Sequence, residues 1–89
     1  MILYILIIKA TNMAESYVIL TTAMGSNSQV LNEIKVIPEI KEIYTILGLY
    51  DLILKVQANS LEELKEVISH IRRNRNVRSL LSLVVEETT

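Results

Sequence analysis

A strand–helix–strand–strand–helix–strand order follows from three features of the chain, and with it an α+β sandwich of one four-stranded antiparallel sheet and two helices. The first feature is Lys41–Val56, KEIYTILGLYDLILKV, where two apolar, β-branched stretches meet at Gly48-Leu49-Tyr50-Asp51. Glycine supplies the positive φ of a tight hairpin, and aspartate can bond its own backbone there. The second is a pair of serines, Ser26 and Ser60, each followed three residues on by Gln29 or Glu63 and then by an amphipathic stretch. That spacing marks helix N-termini. The third is an internal echo: Ile34-Lys35 through Ile46-Leu47 lines up with Ile71-Arg72 through Leu83-Val84, helix end on helix end and strand on strand. Each half is one βαβ unit, and neither buries its apolar face alone.

Taken in order, Ser16–Met24 reads as the first strand, broken by Gly25. Ser26 opens a helix through about Val36, with Val30, Leu31, Ile34 and Ile37 on one face. Pro38 stops it, because the residue before a proline avoids the helical region. Ile40–Leu47 and Tyr50–Ala58 are the second and third strands. Ser60 with Glu63 starts a second helix, Leu61 to about Arg73, whose apolar face is Leu61, Leu64, Val67, Ile68 and Ile71. Asn74–Asn76 forms the exit loop and Val77–Glu86 the last strand. The order is the split βαβ pattern of ferredoxin-like folds. Residues 1–15 are expected as an N-terminal extension, 16–86 as the folded domain and 87–89 as a frayed tail.

Met1–Ile8, MILYILII, is too short to span a membrane, which takes about 20 apolar residues. It also lacks the basic start and small-residue cleavage site of a secretory signal. It reads as an added strand, since β-branched residues dominate it. The other reading is an extension ahead of a natural start at Met13.

Eighty-nine residues make one small domain, and 51% of them are hydrophobic, with a mean hydropathy of +0.37. So small a body cannot hide that much apolar surface, and self-association is the expected remedy. The strands point the same way. Val18-Ile19-Leu20, Leu52-Ile53-Leu54 and Leu80-Leu81 are continuous apolar runs, whereas a sheet with one solvated face alternates. A second copy laid sheet to sheet is the simplest cover.

The net charge of −1 argues against a protein built to hold phosphate backbones. Without cysteine there is no disulfide, thiolate metal site or cysteine nucleophile, and His70 is the only histidine. No phosphate-binding glycine loop, metal-ligand spacing or nucleophile motif occurs, so no cofactor is expected. Arg72, Arg73, Arg75 and Arg78 cluster at the exit of the second helix. They read as cations complementing a helix C-terminus, the alternative being a small anion patch. Abundant Ile, Lys and Glu without Cys or Trp fits a cytoplasmic protein of a heat-loving organism.

At the hairpin, Gly48 and Asp51 are either turn formers alone or part of a ligand grip. A carboxylate locked beside Tyr50 and free backbone N–H groups suits a small zwitterion. The motifs Tyr17-Val18-Ile19-Leu20, Ile37-Pro38, Ile43-Tyr44-Thr45-Ile46-Leu47-Gly48-Leu49-Tyr50-Asp51, Asp51-Leu52-Ile53-Leu54-Lys55-Val56, Ser60-Leu61-Glu62-Glu63-Leu64 and Val77-Arg78-Ser79 together carry a likeness. Over roughly Ser16–Glu86 the chain resembles the C-terminal effector-binding domain of the Lrp/AsnC (feast/famine) transcription regulators, the RAM domain. More closely, it is similar to versions of that domain without a DNA-binding part.

The resemblance implies a ferredoxin-like homodimer that assembles into larger rings and binds a free amino acid between dimers. Carried onto this chain, Gly48, Leu49, Tyr50 and Asp51 would line the site and Ser82 would add a hydroxyl. Asp51 would pair with the ligand ammonium, and amides near Gly48 would receive its carboxylate. Leu47, Leu49 and Leu80 stand where polar residues are common in the family, which leans the ligand toward an aliphatic or aromatic amino acid. Glu39 and Asn76 replace glycines expected before the second and last strands.

Only Met1–Glu15 precede the first shared strand, so direct DNA binding is not expected, and the partners would be further copies or full-length regulators of the family. Two other functions stay open. One is a small dimeric ferredoxin-like enzyme of monooxygenase or isomerase type, using His70 or Asp51 in a pocket enclosed within one subunit. The other is an assembly partner without ligand.

Overall fold

The computed structural model describes residues 13–86. The expected strand at Met1–Ile8 and the tail Glu87–Thr89 lie outside them. The six elements run β1 (Ala14–Thr22), α1 (Asn27–Ile34), β2 (Ile40–Thr45), β3 (Leu52–Ala58), α2 (Leu61–Arg72) and β4 (Val77–Val84). Their order is the one the sequence predicts. The strands form a sheet of order β2-β3-β1-β4 with every neighbouring pair antiparallel, the ferredoxin-like arrangement.

The ends of the elements differ from the sequence reading for local reasons. β1 starts at Ala14 because Ala14 and Glu15 still pair with Ala58 and Gln57. It stops at Thr22, after which Gly25, at φ +77°, turns the chain toward α1. α1 ends at Ile34 with Lys35 as its C-cap, and the chain reaches β2 through tight turns, Ile37 N–H to Ile34 O and Ile40 N–H to Ile37 O. The helix thus ends before the position that Pro38 restricts. β2 and β3 are shorter at the hairpin, where Thr45↔Leu52 is the last pair and Ile46 N–H donates to Asp51 O at 2.9 Å.

The two capping serines behave differently. Ser60 Oγ accepts the Glu63 N–H at 3.1 Å, and the Glu63 carboxylate reaches back to Asn59 N–H at 3.3 Å. Glu62 and Glu63 sit in the first turn of α2, with His70 and Arg72 in its last, which suits the helix dipole. Ser26 precedes α1 but does not cap it; its hydroxyl donates back to Ala23 O at 2.6 Å.

The core lies between the sheet and the helices. Val18 and Leu20 of β1, Leu52, Leu54 and Val56 of β3, Val30 of α1, and Leu64 and Ile71 of α2 are fully buried. Burial of one such side chain contributes about 1.5–3 kcal/mol. Ser16, also fully buried, is satisfied by Tyr17 O at 3.3 Å and by the Ser82 hydroxyl at 3.2 Å.

The other sheet face carries its own apolar row. Register places Tyr44 opposite Ile53, Ile53 opposite Ile19, and Ile19 opposite Leu81, so the four side chains cross the sheet on the side that no described helix covers. Tyr17 and Leu83 pair beside them. Leu81 and Leu83 remain 43% and 49% exposed, and Tyr44 56%. One edge of the row is polar: Lys55 Nζ lies 3.4 Å from Glu15 and 3.7 Å from Glu42.

Candidate functional site

The hairpin end of the sheet is organised by Asp51. Gly48 holds φ +127°, a backbone conformation that side-chain-bearing residues rarely adopt, although open space surrounds the position of its missing Cβ. That φ lets the chain reverse and return through Tyr50 to Asp51. Asp51 is then fastened to β1 twice. Its N–H donates to Leu20 O at 2.8 Å, and its Oδ2 accepts the Thr22 N–H at 2.7 Å. The Thr22 hydroxyl also approaches Oδ2, at 3.3 Å, and donates to Asn27 Oδ1 at the start of α1. One carboxylate therefore ties the hairpin, the end of β1 and the first turn of α1 together.

A cleft of about 640 Å³ opens there, lined by Thr22, Ala23, Met24, Gly25, Asn27, Ser28 and Asp51. Asp51 is the only charged residue in this lining. Because Ser26 provides no side-chain cap, the positive end of α1 is left without an acceptor from its own serine. Met24, in the lining, is fully exposed; Leu47 and Leu49 at the hairpin tip are 99% and 91% exposed.

Of the residues singled out in the sequence, Gly48 and Leu49 lie exposed at the tip, Tyr50 is half-buried behind them, and Asp51 lines the cleft. Ser82 is not brought to them. It faces the helix layer opposite Val18 and bonds Ser16. The hydroxyl pair nearer this end is Thr21 Oγ1 with Ser79 Oγ, 2.6 Å apart. It follows from the pairing of Thr21 with Ser79, just before the register shift that leaves Arg78 unpaired between Ser79 and Val77. Sequence reasoning missed Thr22, Met24, Asn27 and Ser28, because their link to Asp51 spans up to 29 residues and carries no local spacing.

A larger groove, about 750 Å³, lies on the helix layer between the α1–β2 turn and α2. Val36, Ile37, Pro38 and Val67 make it apolar, and Lys65, Glu66, His70 and Arg73 edge it. It is open to solvent rather than enclosed in the subunit, the arrangement an enzyme built around His70 would need. Among the described residues, no group of acidic and histidine side chains is placed to hold a metal ion, and no helix is long and apolar enough to cross a membrane.

Comparison with known proteins agrees with this architecture. Homocitrate synthase from Saccharolobus islandicus is 40% identical over 58 residues, 65% of this chain, but those residues are only 13% of the enzyme's length. The crystal structure of FFRP-DM1 superposes with a TM-score of 0.79 at 28% identity, covering 82% of this chain and 99% of that one. E. coli AsnC shares the fold, with a TM-score of 0.77 at 19% identity over 84% of this chain and 52% of its own. The model of the Lrp/AsnC ligand binding domain matches residues 17–89, and the chain belongs to that family.

Proposed function

We propose that the protein is an amino-acid-sensing module whose ligand seats at Asp51 and whose binding is coupled to assembly. The observation that carries this reading is the Asp51 carboxylate, fixed by Thr22 at the mouth of the cleft, in a domain of a ligand-binding family. A carboxylate offers about four lone-pair sites, so Oδ1 can take an ammonium while Oδ2 serves Thr22. The positive end of α1 borders the same cleft and suits the ligand's carboxylate. Gly48, Leu49 and Tyr50 shape the hairpin that carries Asp51 to it. The pairing of Ser82 with Ser16 supports a packing role for that hydroxyl.

In this role the ligand is bound and released unchanged. The apolar row Tyr44–Ile53–Ile19–Leu81 supports a homodimer laid sheet to sheet. The exposed Leu47 and Leu49 support contacts between dimers at the ligand end. A ligand that completes its site only between dimers favours the larger assembly by mass action. The partners are then further copies, full-length regulators of the family, or a metabolic enzyme, the last supported by the homocitrate synthase match. The cytoplasm, where free amino acids signal supply, is the compartment this role requires.

Light scattering and calorimetry of the purified chain with each of the twenty amino acids test the reading. Binding by at least one of them, with a change of mass, and loss of both in Asp51→Asn is the expected result. A constant oligomer that binds none of them overturns it.

A further inference from the structure

We infer that the apolar stretch Met1–Ile8 docks, within its own chain, into the groove on the helix layer between the α1–β2 turn and α2. Residues 1–12 lie ahead of the described part of the chain, and that part begins beside the groove. Met13 lines a recess with Pro38, Glu39 and Glu63, and Pro38 and Glu39 also line the groove. The chain thus enters the domain at the groove's own margin. The connecting residues Lys9–Asn12 reach up to about 14 Å when extended. Along α2 the groove runs from Lys65 to Arg73, a rise of about 12 Å, which eight further residues can follow.

The two parts match in chemistry. Val36, Ile37, Pro38 and Val67 make the groove apolar, and Val36 is 75% exposed, so the helix layer itself does not cover it. Every residue of Met1–Ile8 is apolar apart from the hydroxyl of Tyr4. Laying that stretch over these side chains removes apolar surface of both from water. Lys9 is the only charged side chain in residues 1–12, and it follows the apolar run on the side of Met13, where Glu39 and Glu63 stand. The single cation therefore arrives at the acidic margin and the apolar run beyond it. At the other edge, Lys65 and Arg73 can lay their stems along the segment and keep their charges in water. A segment from a second copy lacks the four-residue tether, which favours the same chain through effective concentration.

The chain has no cysteine, so an introduced pair can be joined selectively by a short bis-thiol linker. In the full chain, Ile5→Cys with Lys65→Cys should link within one chain at least about tenfold faster than Ile5→Cys with Glu42→Cys, which lies on the opposite sheet face, because docking raises the local concentration of the pair. Adding Val36→Asp should bring the groove pair down to the rate of the sheet-face pair. The far-ultraviolet spectrum should stay unchanged, since Val36 is exposed. Equal rates for the two pairs, or faster linkage to Glu42→Cys, would overturn the inference. Links formed between two chains would assign the groove to a second copy and overturn it as well. So would a groove linkage that Val36→Asp leaves unchanged.

Discussion

The Asp51 carboxylate accepts the Thr22 backbone N–H at 2.7 Å, across 29 residues of sequence. It therefore holds two loops in place by itself, and this structural role must be separated by experiment from the binding role proposed for it. Asp51→Ala removes the acceptor and is expected to cost about 1–3 kcal/mol, the penalty of an unsatisfied donor. Asp51→Asn keeps an oxygen for Thr22 and loses only the charge. Denaturant unfolding should therefore leave Asp51→Asn close to the parent, while calorimetry shows it unable to hold an ammonium group. Equal destabilisation by both variants would mean that charge, not the hydrogen bond, fastens the loops.

Gly48→Ala should destabilise the protein by about 1–2 kcal/mol, because L-residues resist the left-handed half of backbone space. The position has φ +127° and nothing within 4 Å of an added Cβ, so strain rather than crowding sets the cost. A shift of the urea midpoint without a change of slope is the expected signature. An unchanged midpoint would show that the hairpin reverses by another route.

The order of elements was legible because Gly25, Pro38, Gly48–Asp51 and Ser60 punctuate the chain, each by a local mechanism. The ends of the strands were not, since they depend on partners: Ala14 joins β1 only because Ala58 is opposite it. The candidate cleft was legible only in part. Asp51 stands out beside Gly48 in the sequence, but Thr22 and Asn27 join it only through tertiary contact. Ser82 shows how strand parity can hide. Leu80 packs on the core, so Ser82, two residues on, shares its face. The run Leu80-Leu81 masks that alternation in the sequence.

Ser26 and Ser60 look alike in sequence and should respond oppositely to aspartate. Ser60 accepts a hydrogen bond from Glu63 N–H, and aspartate accepts equally well at an N-cap, so Ser60→Asp is expected within a few tenths of a kcal/mol of the parent. Ser26 donates to Ala23 O and is nearly buried. Ser26→Asp replaces that donor with a carboxylate facing a carbonyl and should cost about 1–3 kcal/mol. Thermal melts of the two variants decide it. A neutral Ser26→Asp would show that the residue turns in solution to cap α1.

Leu81→Arg tests the sheet face opposite the helices. Leu81 ends the row Tyr44–Ile53–Ile19–Leu81 and is 43% exposed in the isolated chain, so the substitution leaves the core intact. An arginine there would lie unpaired against a partner's apolar row, which costs several kcal/mol of association. Light scattering should then report a mass near the 10.1 kDa of a single chain, with an unchanged far-ultraviolet spectrum. Retention of the oligomer would place the subunit contact elsewhere.

Lys55 stands between Glu15 and Glu42 on that same face, and the pair sets an alkaline limit. The hydrogen bond and charge of Glu15, followed by the charge of Glu42, raise the Lys55 ammonium above its ordinary 10.5. A base whose pKa is raised by folding contributes its stability in full below the unfolded value and loses it as pH climbs through the folded one. Tyr44 acts in the same direction: its hydroxyl donates to Glu42 at 2.9 Å, which raises the phenol above 10.0, so the unfolded chain ionises first. Stability should therefore be level from these groups through neutral pH and fall above about pH 10. Lys55→Met removes the lysine's part of this effect. Its melting temperature should lie below the parent's near neutrality, and the gap should close as pH rises past the lysine range. High salt should narrow the neutral gap, because the cluster is partly open to solvent. A gap constant from neutral to strongly alkaline pH would assign the effect to lost packing of the lysine stem instead of to its charge.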